Sequence, residues 1–316
     1  MYEPLNRRAW LARSTTWGTA WLAAFEPVLL RPCDRAARQA VAIEPIERPG
    51  PPLFKFSLAA YSYRHLLSGA NPKLSLDDFL RDCAAMGLEG AELTSYYFPP
   101  EPTNEYLAHL KGLAFRLGLD ISGTAVANDF CHPPGPERDR QLAHVRRWVD
   151  YAQRLGAPVI RIFSGAARQG QSLDEASRLA VEGIESCSAY AGERGVYLAL
   201  ENHGGLTETV DGMLELVRAV DSPWFGVNLD TGNFSSADIY GDLARLAPYA
   251  VNVQVKVVIK PAGEPRQEAD FGRLARLLAD AGYRGYVVLE YEENEDPRTA
   301  CPRYMDQLRA AFAAAS

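Results

Sequence analysis

From Leu53 onward the chain alternates between two hydrophobic periods, and that alternation limits its fold more than any other feature. Eight β-rich runs recur: FKFSLAAYSY (54–63), GAELTSY (90–96), ISGTAV (121–126), VIRIFSG (159–165), VYLALENH (196–203), FGVNLD (225–230), AVNVQVKV (250–257) and GYVVLEYE (285–292). Amphipathic helical segments such as LSLDDFLRDCAAMG and DFGRLARLLADAG lie between them. Gly87, Gly118, Gly156, Gly195 and Gly282 each close a helical segment just before the next run, where a left-handed C-terminal residue is wanted. Strands that alternate with helices are parallel, because each crossover returns the chain to the same edge. Units with a repeat of roughly 25 to 40 residues predict a closed (β/α)8 TIM barrel. The competing open sheet needs a glycine-rich phosphate turn after its first strand, and YSYRHLLSG is not one.

The barrel is expected to fill residues 54–316, one domain of a 316-residue chain. Ahead of it, VAIEPIERPGPPL (41–53) reads as a proline-rich linker. Residues 1–40 contain Arg7 and Arg8 ahead of a modestly apolar run. They read either as a twin-arginine export signal or as an N-terminal extension, since Glu26 interrupts the run and no clean cleavage site follows. Location is accordingly cytoplasmic or exported. No stretch is long and apolar enough to predict a membrane span. A net charge of −7 without a dense Lys/Arg run argues against nucleic acid as a partner. Five scattered cysteines with no CxxC pair form neither a disulfide framework nor a zinc-finger pattern.

Polar residues on the strands point toward function. Both faces of a parallel barrel strand are covered, so inward polar groups belong mainly at the C-terminal rim, where barrel enzymes carry their sites. The fifth run is apolar until Glu201, the sixth until Asp230 and the eighth until Glu290; the second carries Glu92. In the seventh, Asn252, Gln254 and Lys256 alternate with valines and so share one face, either a wet surface or a cavity lining. Three carboxylates at one mouth repel each other and raise each other's pKa values. Either a hard divalent ion held by Glu201, Asp230, Gln254 and Glu290 relieves that conflict, or Arg161 and Lys256 do so by pairing.

The segments LGLEGAEL, RLGAPVIRIFSG, LALENHGG, GVNLDTGNF, VNVQVKV and GYRGYVVLEYE resemble the xylose-isomerase-like, AP-endonuclease-like barrels, the sugar phosphate isomerases/epimerases, over about residues 54–297. The resemblance implies a divalent-metal-dependent enzyme acting on a sugar or keto-sugar through an enediolate. It implies Mn²⁺ or Mg²⁺ on Glu201, Asp230, Gln254 and Glu290. Gln254 departs from the family's histidine, and Asn233 stands where many relatives carry another. The two glutamates, Glu201 and Glu290, are the implied bases; His203, Lys256, Glu92 and Asn233 are the expected substrate contacts. Tyr61, Tyr63, Tyr96, Phe130 and Phe234 are either stacking platforms or, more simply, packing. Alternatives are a lyase or dehydratase on a keto-sugar and a noncatalytic carbohydrate-binding relative. An endonuclease would need a histidine-rich three-metal cluster and a basic groove, neither of which is visible. The oligomeric state, a homo-oligomer included, is open at this level.

Overall fold

A computed structural model describes residues 44–315. In chain order the elements are β1 (Leu53–Ala59), α1 (Arg64–Leu67), α2 (Leu76–Ala85), β2 (Gly90–Thr94), α3 (Asn104–Arg116), β3 (Asp120–Ala125), α4 (Pro136–Leu155), β4 (Val159–Ile162), α5 (Leu173–Gly192) and β5 (Tyr197–Glu201). They continue with α6 (Val210–Ala219), β6 (Phe225–Asp230), α7 (Ile239–Leu246), β7 (Ala250–Val255), β8 (Val258–Ile259), β9 (Gln267–Glu268), α8 (Phe271–Asp280), β10 (Arg284–Leu289) and α9 (Pro297–Ala313). Eight parallel strands close in the order β1-β10-β7-β6-β5-β4-β3-β2, the predicted barrel. The antiparallel pair β8–β9 is an insertion after β7, on the rim that receives Lys256.

Local chemistry accounts for the boundaries. Ser75 and Asp78 form a reciprocal capping box at the start of α2, and Thr103, Ser172, Thr209 and Asp270 cap later helices with their side chains. All five glycines expected to end helices take positive φ, between 63° and 81°. The helices turn Leu80, Leu110, Val149, Ile184, Val217, Leu243, Leu278 and Leu308 against the outer faces of the strands, and all eight are buried.

Two side chains extend the sheet beyond its backbone. Asn202 donates to the Asp230 carbonyl and accepts from the Asp230 N–H, both at 2.9 Å, so an amide continues the β5–β6 ladder where β5 has ended. Asn128 does the same for Phe163, donating at 2.8 Å and accepting at 2.9 Å. Each satisfies a backbone pair that would otherwise be unpaired at a buried rim.

The described part of the proline-rich stretch, residues 44–52, lies against the N-terminal end of the barrel. Ile46 donates to the Pro248 carbonyl at 3.0 Å, Arg48 bonds the Ala250 carbonyl and covers the Tyr283 ring, and Arg284 bonds the Pro51 carbonyl. A cavity of about 530 Å³ sits at that end, lined by Ile46, Arg48, Tyr197, Phe225 and Tyr286. None of the expected site residues lines it. The twin-arginine-like segment lies outside the described residues. No helix among the described residues is long and apolar enough to cross a membrane.

Candidate active site

At the opposite end the strands deliver their polar residues together. Glu201 and Asp230 are the last residues of β5 and β6, Gln254 is next to last in β7, Lys256 follows β7, and Glu290 follows β10. All five are buried. The register pairs Asp230 with Gln254 and Val288 with Gln254, so adjacent strands bring these residues to one level.

Two cations hold the acids. The Arg161 Nε lies 2.8 Å from Glu201 Oε2, while its other nitrogens donate to the Val126 carbonyl at 2.8 Å and to the Tyr96 hydroxyl at 3.3 Å. Its guanidinium stacks 4.0 Å from the Phe163 ring centroid. Asn233 donates to the other oxygen of Glu201 at 2.9 Å. Lys256 bonds Glu290 Oε2, and its Nζ lies 3.0 Å from Glu292 Oε1 and 3.4 Å from Asp230 Oδ2. Asp230 Oδ2 has no hydrogen-bond partner, so that ammonium supplies its counter-charge; Oδ1 accepts from the Gly232 N–H at 2.8 Å. Gly232 is required here: a Cβ at that position would lie 2.5 Å from Lys256 Cγ and block the lysine stem.

Burial, opposed by Arg161 and reinforced by Glu290, raises the Glu201 pKa; burial, opposed by Lys256, raises that of Asp230. Burial pulls the Lys256 and Arg161 pKa values down, but neighbouring acids outweigh it, so both remain cations.

Beneath the rim lies a second polar layer. Glu92 accepts from Asn252 at 3.1 Å on one oxygen and from Gln254 at 2.7 Å on the other. The Gln254 oxygen accepts from Asn228 at 2.7 Å, and Asn252 donates to Asn228 at 2.8 Å, closing the ring. Burial, with Glu290 adding, pushes the Glu92 carboxyl up to about 7. Both Glu92 oxygens are therefore engaged inside the barrel, below the position expected of a substrate contact. Asn228 was missed; its alternation with Asp230 along β6 is the signal that places it on the same inward face.

The remaining expectations separate cleanly. Asn233 is half-buried at the mouth, and His203 is exposed there, tilted over Phe163 with centroids 4.5 Å apart. Tyr61 and Tyr96 meet edge to face at 6.2 Å. By contrast Tyr63, Phe130 and Phe234 are packing residues of the core. A cleft of about 110 Å³ opens beside Lys256, lined also by Asn233, Lys260, Arg266, Glu290 and Glu292.

The donor set expected for a divalent ion does not fit one as it is arranged. Among the described residues no three His, Cys, Asp or Glu side chains are grouped to hold a metal. Gln254 has both ends of its amide in the interior ring, and Lys256 stands between Asp230 and Glu290. At ~4 Å and an effective dielectric of ~20, a single and a double positive charge repel by about 8 kcal/mol.

Comparison with known proteins agrees with this architecture. A family model described as a xylose isomerase-like TIM barrel matches residues 80–311. A putative hydroxypyruvate isomerase of Mus musculus is 30% identical over 172 residues, 47% of this chain and 58% of that protein, so the chain spans little more than half of that relative. An L-ribulose-5-phosphate 3-epimerase of Escherichia coli is 25% identical over 213 residues, 63% of this chain and 75% of its own. The solved structure of an L-ribulose 3-epimerase superposes with a TM-score of 0.69 at 15% identity, covering 83% of this chain and 96% of that one.

Proposed function

The chain belongs to the xylose isomerase-like TIM barrel family, and from that premise we propose that it is a sugar isomerase or epimerase that moves a proton on a keto-sugar. One observation carries the reading: two glutamates, one ending β5 and one just after β10, reach the same rim, and each is held against a buried cation.

A carbon next to a carbonyl becomes acidic when the carbonyl oxygen can accept negative charge. In the proposed reaction Glu201 or Glu290 takes that proton, the electron pair moves onto the oxygen, and the Lys256 ammonium stabilises the enediolate. Return of a proton to the opposite face of the same carbon is epimerisation; delivery to the neighbouring carbon is isomerisation. The raised pKa of Glu201 suits a group that must both accept and return a proton near neutrality. Asn233 fixes the Glu201 carboxylate, and Asn233 and His203 supply hydrogen bonds to substrate hydroxyls. The hydroxypyruvate isomerase and L-ribulose-5-phosphate 3-epimerase relatives support this reaction class, because both names describe changes at carbons adjoining a carbonyl.

The test is proton NMR of a keto-sugar panel in D₂O with the full chain. Exchange of a C–H for C–D without loss of substrate mass is expected, with Glu201→Gln and Glu290→Gln each abolishing it. Full exchange in either variant removes that residue from the mechanism. Elimination products would instead mark a lyase, and a panel bound without exchange would mark a carbohydrate-binding protein.

A further inference from the structure

We propose that the Lys256 ammonium takes the place of the divalent ion at this rim, so that the chemistry needs no metal; this rests on the keto-sugar reading above. Four observations converge on it. The Gln254 amide is held at both ends, its oxygen by Asn228 at 2.7 Å and its nitrogen on Glu92 at 2.7 Å. Turning it to ligate an ion would break two buried hydrogen bonds and leave one Glu92 oxygen without its donor, the other keeping Asn252. The Glu201 carboxylate is taken on both oxygens, by Arg161 and Asn233. Asp230 and Glu290 share the lysine. Finally, the lysine is seated by construction: its N–H donates to Thr231 Oγ1 at 3.0 Å, and the missing Cβ of Gly232 makes room for its stem.

The ammonium hydrogen-bonds Glu290, and its charge also lies 3.0 Å from Glu292 and 3.4 Å from Asp230, whose facing oxygen has no hydrogen-bond partner. Glu292 is the most exposed of the three, with 41% of its side chain open to solvent, so it is the partner a substrate oxygen displaces. The electron pair released from the C–H bond then rests on an oxygen hydrogen-bonded to a fixed positive charge. Reprotonation at carbon returns it, and no oxidant or reductant is consumed.

The experiment is a titration of Mn²⁺ into the full-length protein after dialysis against EDTA, followed by the EPR signal of free Mn²⁺. Wild type is expected to leave that signal undiminished, and EDTA to leave C–H exchange unchanged. Lys256→Met, which opens the acid cluster, is expected to take up about one Mn²⁺ per chain and to gain thermal stability on doing so. Should that variant not fold, Gln254→His tests the same point: with the ammonium retained it is expected to bind no Mn²⁺. Stoichiometric Mn²⁺ uptake by wild type, uptake by Gln254→His, or exchange lost in EDTA and restored by Mn²⁺ would overturn the proposal. Absence of exchange on every sugar overturns the keto-sugar reading instead, because Mn²⁺ uptake is read without substrate.

Discussion

Replacing Arg161 by methionine probes the electrostatics of the rim without touching an expected base. Arg161 is 5% exposed, and its guanidinium serves Glu201, the Val126 carbonyl and the Tyr96 hydroxyl while stacking on Phe163. Methionine keeps most of the apolar stem but leaves Glu201 as a buried carboxylate whose remaining partner is a neutral amide, Asn233. Removing one member of a buried ion pair typically costs about 3–5 kcal/mol, most of it the desolvation of the charge left behind. Near 2 °C per kcal/mol for a domain of this size, the melting midpoint should fall by about 6–10 °C. The assay is thermal unfolding, with urea denaturation for the free energies, of wild type, R161M, E201Q and the double variant. If the stranded carboxylate is the cause, R161M/E201Q should be more stable than R161M, the cycle giving a coupling of about 2 kcal/mol or more. An R161M protein within ~1 kcal/mol of wild type, or a double variant no better than R161M, would refute the view that these charges compensate one another.

Asn202→Ala removes both hydrogen bonds that continue the β5–β6 ladder to the Asp230 backbone, and should lower stability in urea by about 2–4 kcal/mol; a loss below ~1 kcal/mol would mean the backbone finds other partners. Gly232→Ala places a methyl 2.5 Å from Lys256 Cγ, and a loss of about 1–3 kcal/mol is expected, since the lysine stem has to move; an unaltered midpoint would show that the stem is not confined. Cys83, Cys131, Cys187 and Cys301 are buried, and burial pushes the thiols of Cys131 and Cys301 up to about 12 and that of Cys187 up to about 11. With the thiol form retained, iodoacetamide at pH 8 should modify these four only after denaturation, as read by peptide mass spectrometry; rapid labelling of any one in the native protein would contradict its burial.

How much of this was legible depends on the range over which each feature is determined. The barrel was legible because helical and strand periods alternate locally and glycines mark the joints. The rim acids were legible because Glu201, Asp230 and Glu290 each end an apolar run, a pattern confined to a few residues. Partner choice was not. Asn252 and Gln254 meet Glu92 across 160 and 162 residues of chain, and nothing near Glu92 in sequence tells it from a rim carboxylate. The same limit applies to Arg161 and Lys256. The sequence offers an imported cation or chain cations as ways to relieve the acids, and the structure seats the two stems among Gly232, Thr231 and Phe163, with Arg161 against Glu201 and Lys256 against Glu290.

Cation type then shapes what the rim can ask of a substrate. A divalent ion can grip two neighbouring oxygens, and it repels any ammonium placed close by. A lysine grips through single hydrogen bonds and cannot be lost to a chelator. The geometry around Lys256 grades its acid partners: Glu290 and Asp230 are buried within the rim, whereas Glu292 stands partly in water at 3.0 Å. A partly solvated carboxylate loses little when its ammonium turns away, because water replaces the bond. In the proposed reaction the ammonium exchanges its contact with Glu292 for the substrate oxygen while keeping Glu290 and Asp230, and so remains neutralised while it receives the oxyanion. Glu292 follows Glu290 two residues on, just past β10, and both reach Lys256, so in the proposed reaction the partner that holds the lysine and the partner that yields it come from one short run, LEYE.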